Sequence, residues 1–271
     1  MKILFIGGGN MASAMIGGLV ARGVAPDGIG VVEVNSDARE SLSARFGVGV
    51  YEHAVAVIGE QDVIVLAVKP QQLEEVAQSI RSELASQLII SIAAGVRLDD
   101  LSRWLGGYRK LVRAMPNTPA LVRSGVTGLF PLPNVDAEAR VMAEEIMSAI
   151  GSSFWVPVES MMDAVTAVSG SGPAYVFYFM EAMERGALQF GFDPSSARQM
   201  ALETVIGAAR LAAESSESFA VLRQRVTSKG GTTEAALNKM AQCAVGEGIV
   251  TGMQAAEARG RELGEQLSKG H

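Results

Sequence analysis

Up to about residue 160, short apolar runs alternate with stretches of helical periodicity. Lys2–Ile6 is the first run; glycines follow, then a helical stretch through Arg22. Ile29–Asn35 predicts a second strand and Asp37–Phe46 a second helix. Asp62–Val68 and Leu88–Ile92 are unbroken and rich in β-branched residues, the pattern of strands covered on both faces. Lys110–Met115 and Gly125–Phe130 read as further strands, Asp136–Ile150 as a helix, and Ser153–Val156 as a last strand. Strands alternating with helices predict a doubly wound, largely parallel sheet. Beyond Pro157 the texture changes to apolar positions at helical spacing, as in Val205, Ala208, Ala209 and Ala212, with no convincing strand. The predicted organisation is an α/β domain over residues 1–160 and an all-α domain over 161–271. Gly191–Pro194 and Thr227–Thr232 interrupt the helical part.

Composition removes several classes of function. The 271 residues are 48% hydrophobic with a mean hydropathy of +0.24, which excludes a disordered segment. No apolar run approaches the ~18 residues of a membrane span, and the start turns glycine-rich too early for a signal peptide. The expected location is therefore the cytoplasm. A net charge of −6 without a basic stripe argues against nucleic acid as a partner. Cys243 is the only cysteine, read as a buried small hydrophobe, and His53 and His271 are the only histidines. No metal site is expected, and His53 reads as structural or close to a nucleotide's adenosine. The chemistry must manage without the usual acid–base residue.

One motif carries strong context. Gly7-Gly8-Gly9-Asn10-Met11-Ala12 fits the GxGxxG/A pattern directly after a strand and at the start of a helix. Gly7 allows the tight turn, Gly9 admits a pyrophosphate to the backbone, and Ala12 lets helix and strand pack closely. With Ile6 these residues define a candidate dinucleotide site in a Rossmann-like domain. The end of the second strand leaves two readings. If Glu33 is terminal, its carboxylate suits the ribose 2′-hydroxyl of NAD; if the strand runs to Asn35, then Asn35, Ser36 and Arg39 form a cup for the 2′-phosphate of NADP. The expectation is NADPH as the preferred cofactor, with NADH used less well.

Several segments together resemble pyrroline-5-carboxylate reductases along the whole chain. They are IGGGNMASAMIGG at the start, LAVKPQQ from Leu66, SIAAGV from Ser91, RAMPNTPALV from Arg113, DAVTAVSGSGPAYVF from Asp163 and VTSKGGTTEAAL from Val226. One departure is Lys229, where that family's loop usually carries proline. The resemblance implies that Ala67, Val68, Lys69 and Pro70 line the cofactor after one strand and Ala93, Ala94 and Gly95 after the next. Alone, Lys69-Pro70 would read as a strand terminator with a solvated lysine. Asn117, in the Pro116–Pro119 loop, reads equally as a pocket residue or as a turn residue holding backbone.

The family's reaction reduces the ring C=N of 1-pyrroline-5-carboxylate to proline with hydride from NAD(P)H. A protonated cyclic imine is already electrophilic, so no strong general acid is needed, in keeping with the scarcity of histidine. The related 3-hydroxyacid dehydrogenases carry a catalytic lysine on the first long helix of the second domain, and Ser169–Arg185 contains none. Such a dehydrogenase, another imine reductase and a non-catalytic NADP sensor are the rival readings. The resemblance assigns substrate contacts to Thr232 and Thr233, with Thr233 beside the ring nitrogen as the catalytic candidate. Gly230 and Gly231 complete a carboxylate cradle there, with a plain helix N-cap as the alternative. Ser169 and Ser171 would stand beside the nicotinamide. Glu159 matches a position near substrate, with a surface carboxylate at a domain boundary as the alternative.

Composition finally bears on assembly. The sequence holds 30 glycines and 38 alanines, and after Phe192 the only aromatic is Phe219. Thin helices of this kind pack closely but do not build a wide core within one chain. The resemblance implies an interleaved homodimer through an all-α dimerisation domain, with assembly of dimers to a decamer.

Overall fold

A computed structural model describes residues 1–269; His271 lies outside the described residues. The chain forms two compact units, Met1–Ser171 together with the chain from Ala256 onward, and Gly172–Ala255. The division therefore falls beyond residue 160. The helix Met161–Val165 explains it: Met162 and Val165 pack with Val156 against Met115 and Phe130 of the sheet, so this stretch belongs to the first unit.

The first unit is built on eight strands: β1 (Ile3–Ile6), β2 (Ile29–Val32), β3 (Gly49–Tyr51), β4 (Val63–Leu66), β5 (Leu88–Ser91), β6 (Leu111–Met115), β7 (Gly125–Pro131) and β8 (Gly151–Trp155). They form one sheet in the order β3-β2-β1-β4-β5-β6-β7-β8, parallel throughout except at β6–β7. The strand order reverses beside β1, which makes the edge between β1 and β4 the place where a doubly wound sheet opens to a ligand. β1, β2, β4 and β5 are buried at every position, as their apolar runs require. β3 has no counterpart in the sequence pattern, being three residues at a half-exposed edge. β2 is shorter than its apolar run and stops at Val32.

Helices α1 (Asn10–Ala21), α2 (Ser36–Phe46), α3 (Pro70–Ile80), α4 (Leu98–Trp104) and α5 (Ala137–Ser148) connect the strands. Their starts follow local chemistry. Asn35 and Asp136 cap α2 and α5 by accepting from the amides of Ala38 and Ala139, and Pro70 opens α3. Two apolar clusters form the core, one on each face of the sheet: Phe5, Met15, Ile16 and Ile146 belong to the first, and Leu4, Leu66, Leu73 and Leu101 to the second.

After α6 (Met161–Val165) comes a π-helical turn, Thr166–Gly170, and then α7 (Gly172–Gln189) with Pro173 in its first turn. Proline thus restarts the helix where its missing amide hydrogen costs nothing. The second unit continues with α8 (Pro194–Ala213), α9 (Phe219–Arg225), α10 (Thr232–Gln242) and the first part of α11 (Val245–Lys269). Asp193 caps α8; the hydrogen bond from the Ser196 side chain, and then those from the amides of Ser196 and Ser195, hold its carboxyl below the usual range. Among the described residues of this unit, the buried apolar side chains are Ala197 and Ala201. Phe190, Phe219 and Tyr178 are 84%, 79% and 74% exposed. Cys243, expected to be buried, is exposed. It follows the last turn of α10, in a unit whose apolar faces its own chain leaves uncovered.

Candidate active site

The glycine loop forms where β1 gives way to α1. At Gly7 φ is +102°, and a Cβ there would stand 2.7 Å from the carbonyl oxygen of Ala67. Its amide donates to the Val32 carbonyl at 2.8 Å, so the turn is pinned between the ends of β2 and β4. Only glycine meets both conditions. Gly9 is the N-cap of α1, and nothing lies within 4 Å of where its Cβ would be. No side chain caps that helix, which leaves its first amides facing the open space. Asn10 is exposed, Met11 half-buried, and Ala12 buried beneath the helix against the sheet.

A cavity of about 640 Å³ opens here, within the range of small-molecule sites. It brings together Ile6, Gly7, Gly8 and Gly9 with Ala67, Val68 and Lys69, as the sequence anticipates. Glu33 and His53 also line it; the histidine is solvent-exposed beside Glu52. Pro70 is the first residue of α3 rather than part of the lining.

The end of β2 bears on the two ribose readings. β2 stops at Val32, which puts Glu33 at its end, with Asn35, Ser36 and Arg39 following at the start of α2. Glu33 Oε2 accepts from the Gly8 amide at 2.9 Å and Oε1 from the Asn35 amide at 3.0 Å. Asn35 uses its side chain to cap α2, and Ser36 is exposed beside Asp37. Arg39 turns inward: Nη1 donates to the carbonyls of Glu33 and Val34, and Nη2 pairs with Glu52 at 3.7 Å. These bonds hold the chain after β2 in a turn, which is why the strand cannot continue to Asn35.

Ala93, Ala94 and Gly95 follow β5, at the carboxyl end of the sheet, although they do not line the cavity beside Gly7. Ala93 is buried, Ala94 exposed, and Gly95 adopts φ +80°. Glu159 bears on this loop in a way the sequence did not reveal. Its Oε1 accepts from the Leu98 amide at 2.8 Å and from Arg113 Nη1 at 3.2 Å, so it caps α4 from a distance. Arg113 is 4% exposed and also pairs with Asp163 at 3.5 Å. Glu159 is thus a fixed member of an ionic cluster with Arg113 and Asp163. Arg113 and Asp163 escaped notice because each sits inside a family motif without a signal of its own.

Asn117 is likewise a bridge. Its Nδ2 donates to the Ser169 carbonyl at 3.0 Å and its Oδ1 accepts from the Val126 amide at 2.9 Å. Both ends of the side chain are engaged, which makes it the residue tying the π-helical turn to β7. Ser169 Oγ donates to the Val165 carbonyl, and the Ser171 amide to that of Thr166.

In the second unit, the loop before α10 turns at Gly230, φ +72°. The Gly230 amide donates to Glu234 at 2.7 Å and the Gly231 amide to the Ser228 carbonyl at 3.0 Å. Both amides are thus engaged within the loop. Thr232 and Thr233 open α10, the first exposed and the second half-buried, and Lys229 is exposed.

Comparison with known proteins agrees with this anatomy. The family model described as pyrroline-5-carboxylate reductase dimerisation matches residues 159–263, and one described as NADP oxidoreductase coenzyme F420-dependent matches residues 2–95. A pyrroline-5-carboxylate reductase of Pseudomonas aeruginosa is 42% identical over 99% of this chain and 98% of its own. The solved structure of such a reductase from Coxiella burnetii has a TM-score of 0.93 at 41% identity, covering 97% of this chain and 98% of that one. A pyrroline carboxylate reductase from Plasmodium falciparum, solved with NADP bound, has a TM-score of 0.86 at 26% identity over 97% and 98%.

A glycine loop between the ends of β2 and β4, on a doubly wound sheet followed by a helical unit, defines an NAD(P)H-dependent oxidoreductase. The helical unit separates it from other enzymes with this first domain. The chain belongs to the pyrroline-5-carboxylate reductase family.

Proposed function

We propose that this protein reduces 1-pyrroline-5-carboxylate to L-proline with hydride from NADPH or NADH, the last step of proline synthesis. The observation that carries this reading is whole-chain membership of the family, including the segment Ser228–Thr233 that runs into α10. The dinucleotide fits the residues present: a backbone cradle at Gly7 that a Cβ would fill, open space over Gly9, and an uncapped helix start. Ile6, Gly7–Gly9 and Ala67–Lys69 would hold it on one side, and Ala93–Gly95 on the other. When bound, the reduced nicotinamide supplies the hydride.

The protein's task is to orient the imine and bind its carboxylate. Because the amides of Gly230 and Gly231 are engaged within the loop, carboxylate binding falls to the first turn of α10 and the hydroxyls of Thr232 and Thr233. Thr233 serves the ring nitrogen. Ser169 and Ser171 flank the nicotinamide on a turn that Asn117 fixes in place. Catalysis then rests on orientation, a contribution of several kcal/mol in favourable cases.

The exposed aromatics of the helical unit support a homodimer with a shared helical core, assembled further to a decamer. We read the protein as cytoplasmic; no helix among the described residues is long and apolar enough to cross a membrane. The deciding assay follows oxidation of NADPH and NADH side by side with pyrroline-5-carboxylate and with open-chain keto acids. Turnover is expected with the cyclic imine only, and its absence there overturns the proposal. Thr233→Val is expected to cut kcat/KM several-fold while dinucleotide binding stays intact.

A further inference from the structure

The loop after β5 is held from one side by the Glu159 carboxylate on the Leu98 amide. From the other side it meets α11. Gly264, on the part of that helix belonging to the first unit, is buried, and a Cβ built there would stand 2.9 Å from the Gly95 carbonyl oxygen. Leu267, one turn on, joins the apolar cluster of Leu98 and Leu101, and its Cδ1 lies 3.5 Å from where a Gly95 Cβ would be. Ser268 donates to Asp100, which also pairs with Arg103 at 2.7 Å. Helix backbone thus touches loop backbone at Gly264 and Gly95, and the contacts around it run from the loop into α4.

We propose that Gly264 is a positioning residue for the dinucleotide: by admitting the Gly95 carbonyl against the α11 backbone, it sets where Ala93–Gly95 meets the cofactor. This rests on the reading that Ala93–Gly95 lines the nicotinamide side of the site. Any side chain at 264 must push Gly95 away, since the clash is with backbone oxygen rather than with a flexible side-chain end. A displacement of a few tenths of an ångström is felt at a site that works by orientation.

The test compares the parent, Gly264→Ala and Gly260→Ala. Gly260 lies one turn earlier, where an added Cβ would make only an ordinary 4.0 Å contact with Asp163. NADPH and NADH binding are titrated directly by nicotinamide fluorescence, alongside KM, kcat and thermal midpoint. Gly264→Ala is expected to weaken binding and raise the dinucleotide KM about fivefold, with kcat at saturation and thermal midpoint near the parent's. Gly260→Ala is expected to match the parent. Equal binding by Gly264→Ala and the parent overturns the proposal. So does equal weakening in both variants, which would mark a general disturbance of the helix. A parent that binds neither dinucleotide overturns the reading of the site and this inference with it. Should Gly264→Ala not fold, Ser268→Ala releases the Asp100 end of the same contact. It is expected to weaken binding in the same direction, and unchanged binding there overturns the proposal.

Discussion

The side-chain amide of Asn117 donates to the backbone carbonyl of Ser169 at 3.0 Å, across 52 residues of sequence. The same side chain accepts from Val126 on β7, so one buried residue fixes the π-helical turn against the sheet. A π turn leaves carbonyls that the regular helical ladder does not satisfy, and here an asparagine supplies the donor. The turn leads directly into Ser171 and α7, the start of the helical unit.

Replacing Asn117 by alanine leaves two part-buried backbone groups, the Ser169 carbonyl and the Val126 amide, without these partners. The expected loss of stability is about 1–3 kcal/mol, read from chemical denaturation. Turnover of the cyclic imine should fall further than stability alone explains, because Ser169 is no longer held. Parent-like kcat/KM in the folded variant would disconnect Asn117 from the site.

Glu33 lines the cavity at the end of β2, where a dinucleotide's ribose would lie, and its carboxylate accepts from the Gly8 and Asn35 amides. A 2′-phosphate there meets like charge, whereas a 2′-hydroxyl can donate to the carboxylate. Glu33→Ser should raise the ratio of kcat/KM for NADPH over NADH by about tenfold, equivalent to ~1.4 kcal/mol. Paired steady-state assays with the two cofactors measure it, and an unaltered ratio removes Glu33 from cofactor choice.

Thr127 is fully buried on β7, and its hydroxyl finds no partner among the described residues. Thr127→Val keeps the shape and removes the orphaned group. Stability should rise by about 1 kcal/mol in equilibrium unfolding, with kcat and KM unchanged. A loss of stability would mean that the hydroxyl is satisfied after all.

The helical unit predicts concentration dependence. With Phe177, Tyr178, Phe190 and Phe219 exposed in a single chain, it needs a second copy to bury them. Thermal midpoint and activity should both fall on dilution as sedimentation shows dissociation. An active, stable monomer at the dilute end would refute the shared core.

Much of this was legible in the chain. The unbroken apolar runs of β1, β4 and β5 require burial on both faces, and Gly7 to Ala12 can be read because a tight βα turn demands small residues at fixed spacing. Asp193 before Pro194 marks a helix start for an equally local reason. What the sequence could not fix are choices made between distant groups. Whether β2 ends at Val32 or Asn35 depends on Arg39 and on bonds from Gly8. Whether Glu159 and Asn117 face a ligand or the backbone depends on Leu98, Arg113, Ser169 and Val126, none of them a sequence neighbour. The exposure of Cys243 follows from how little its unit can bury on its own. Local propensity and periodicity act over a turn or a strand and are written in the sequence. Pairing of buried polar groups is settled only when the packed chain brings each donor to an acceptor.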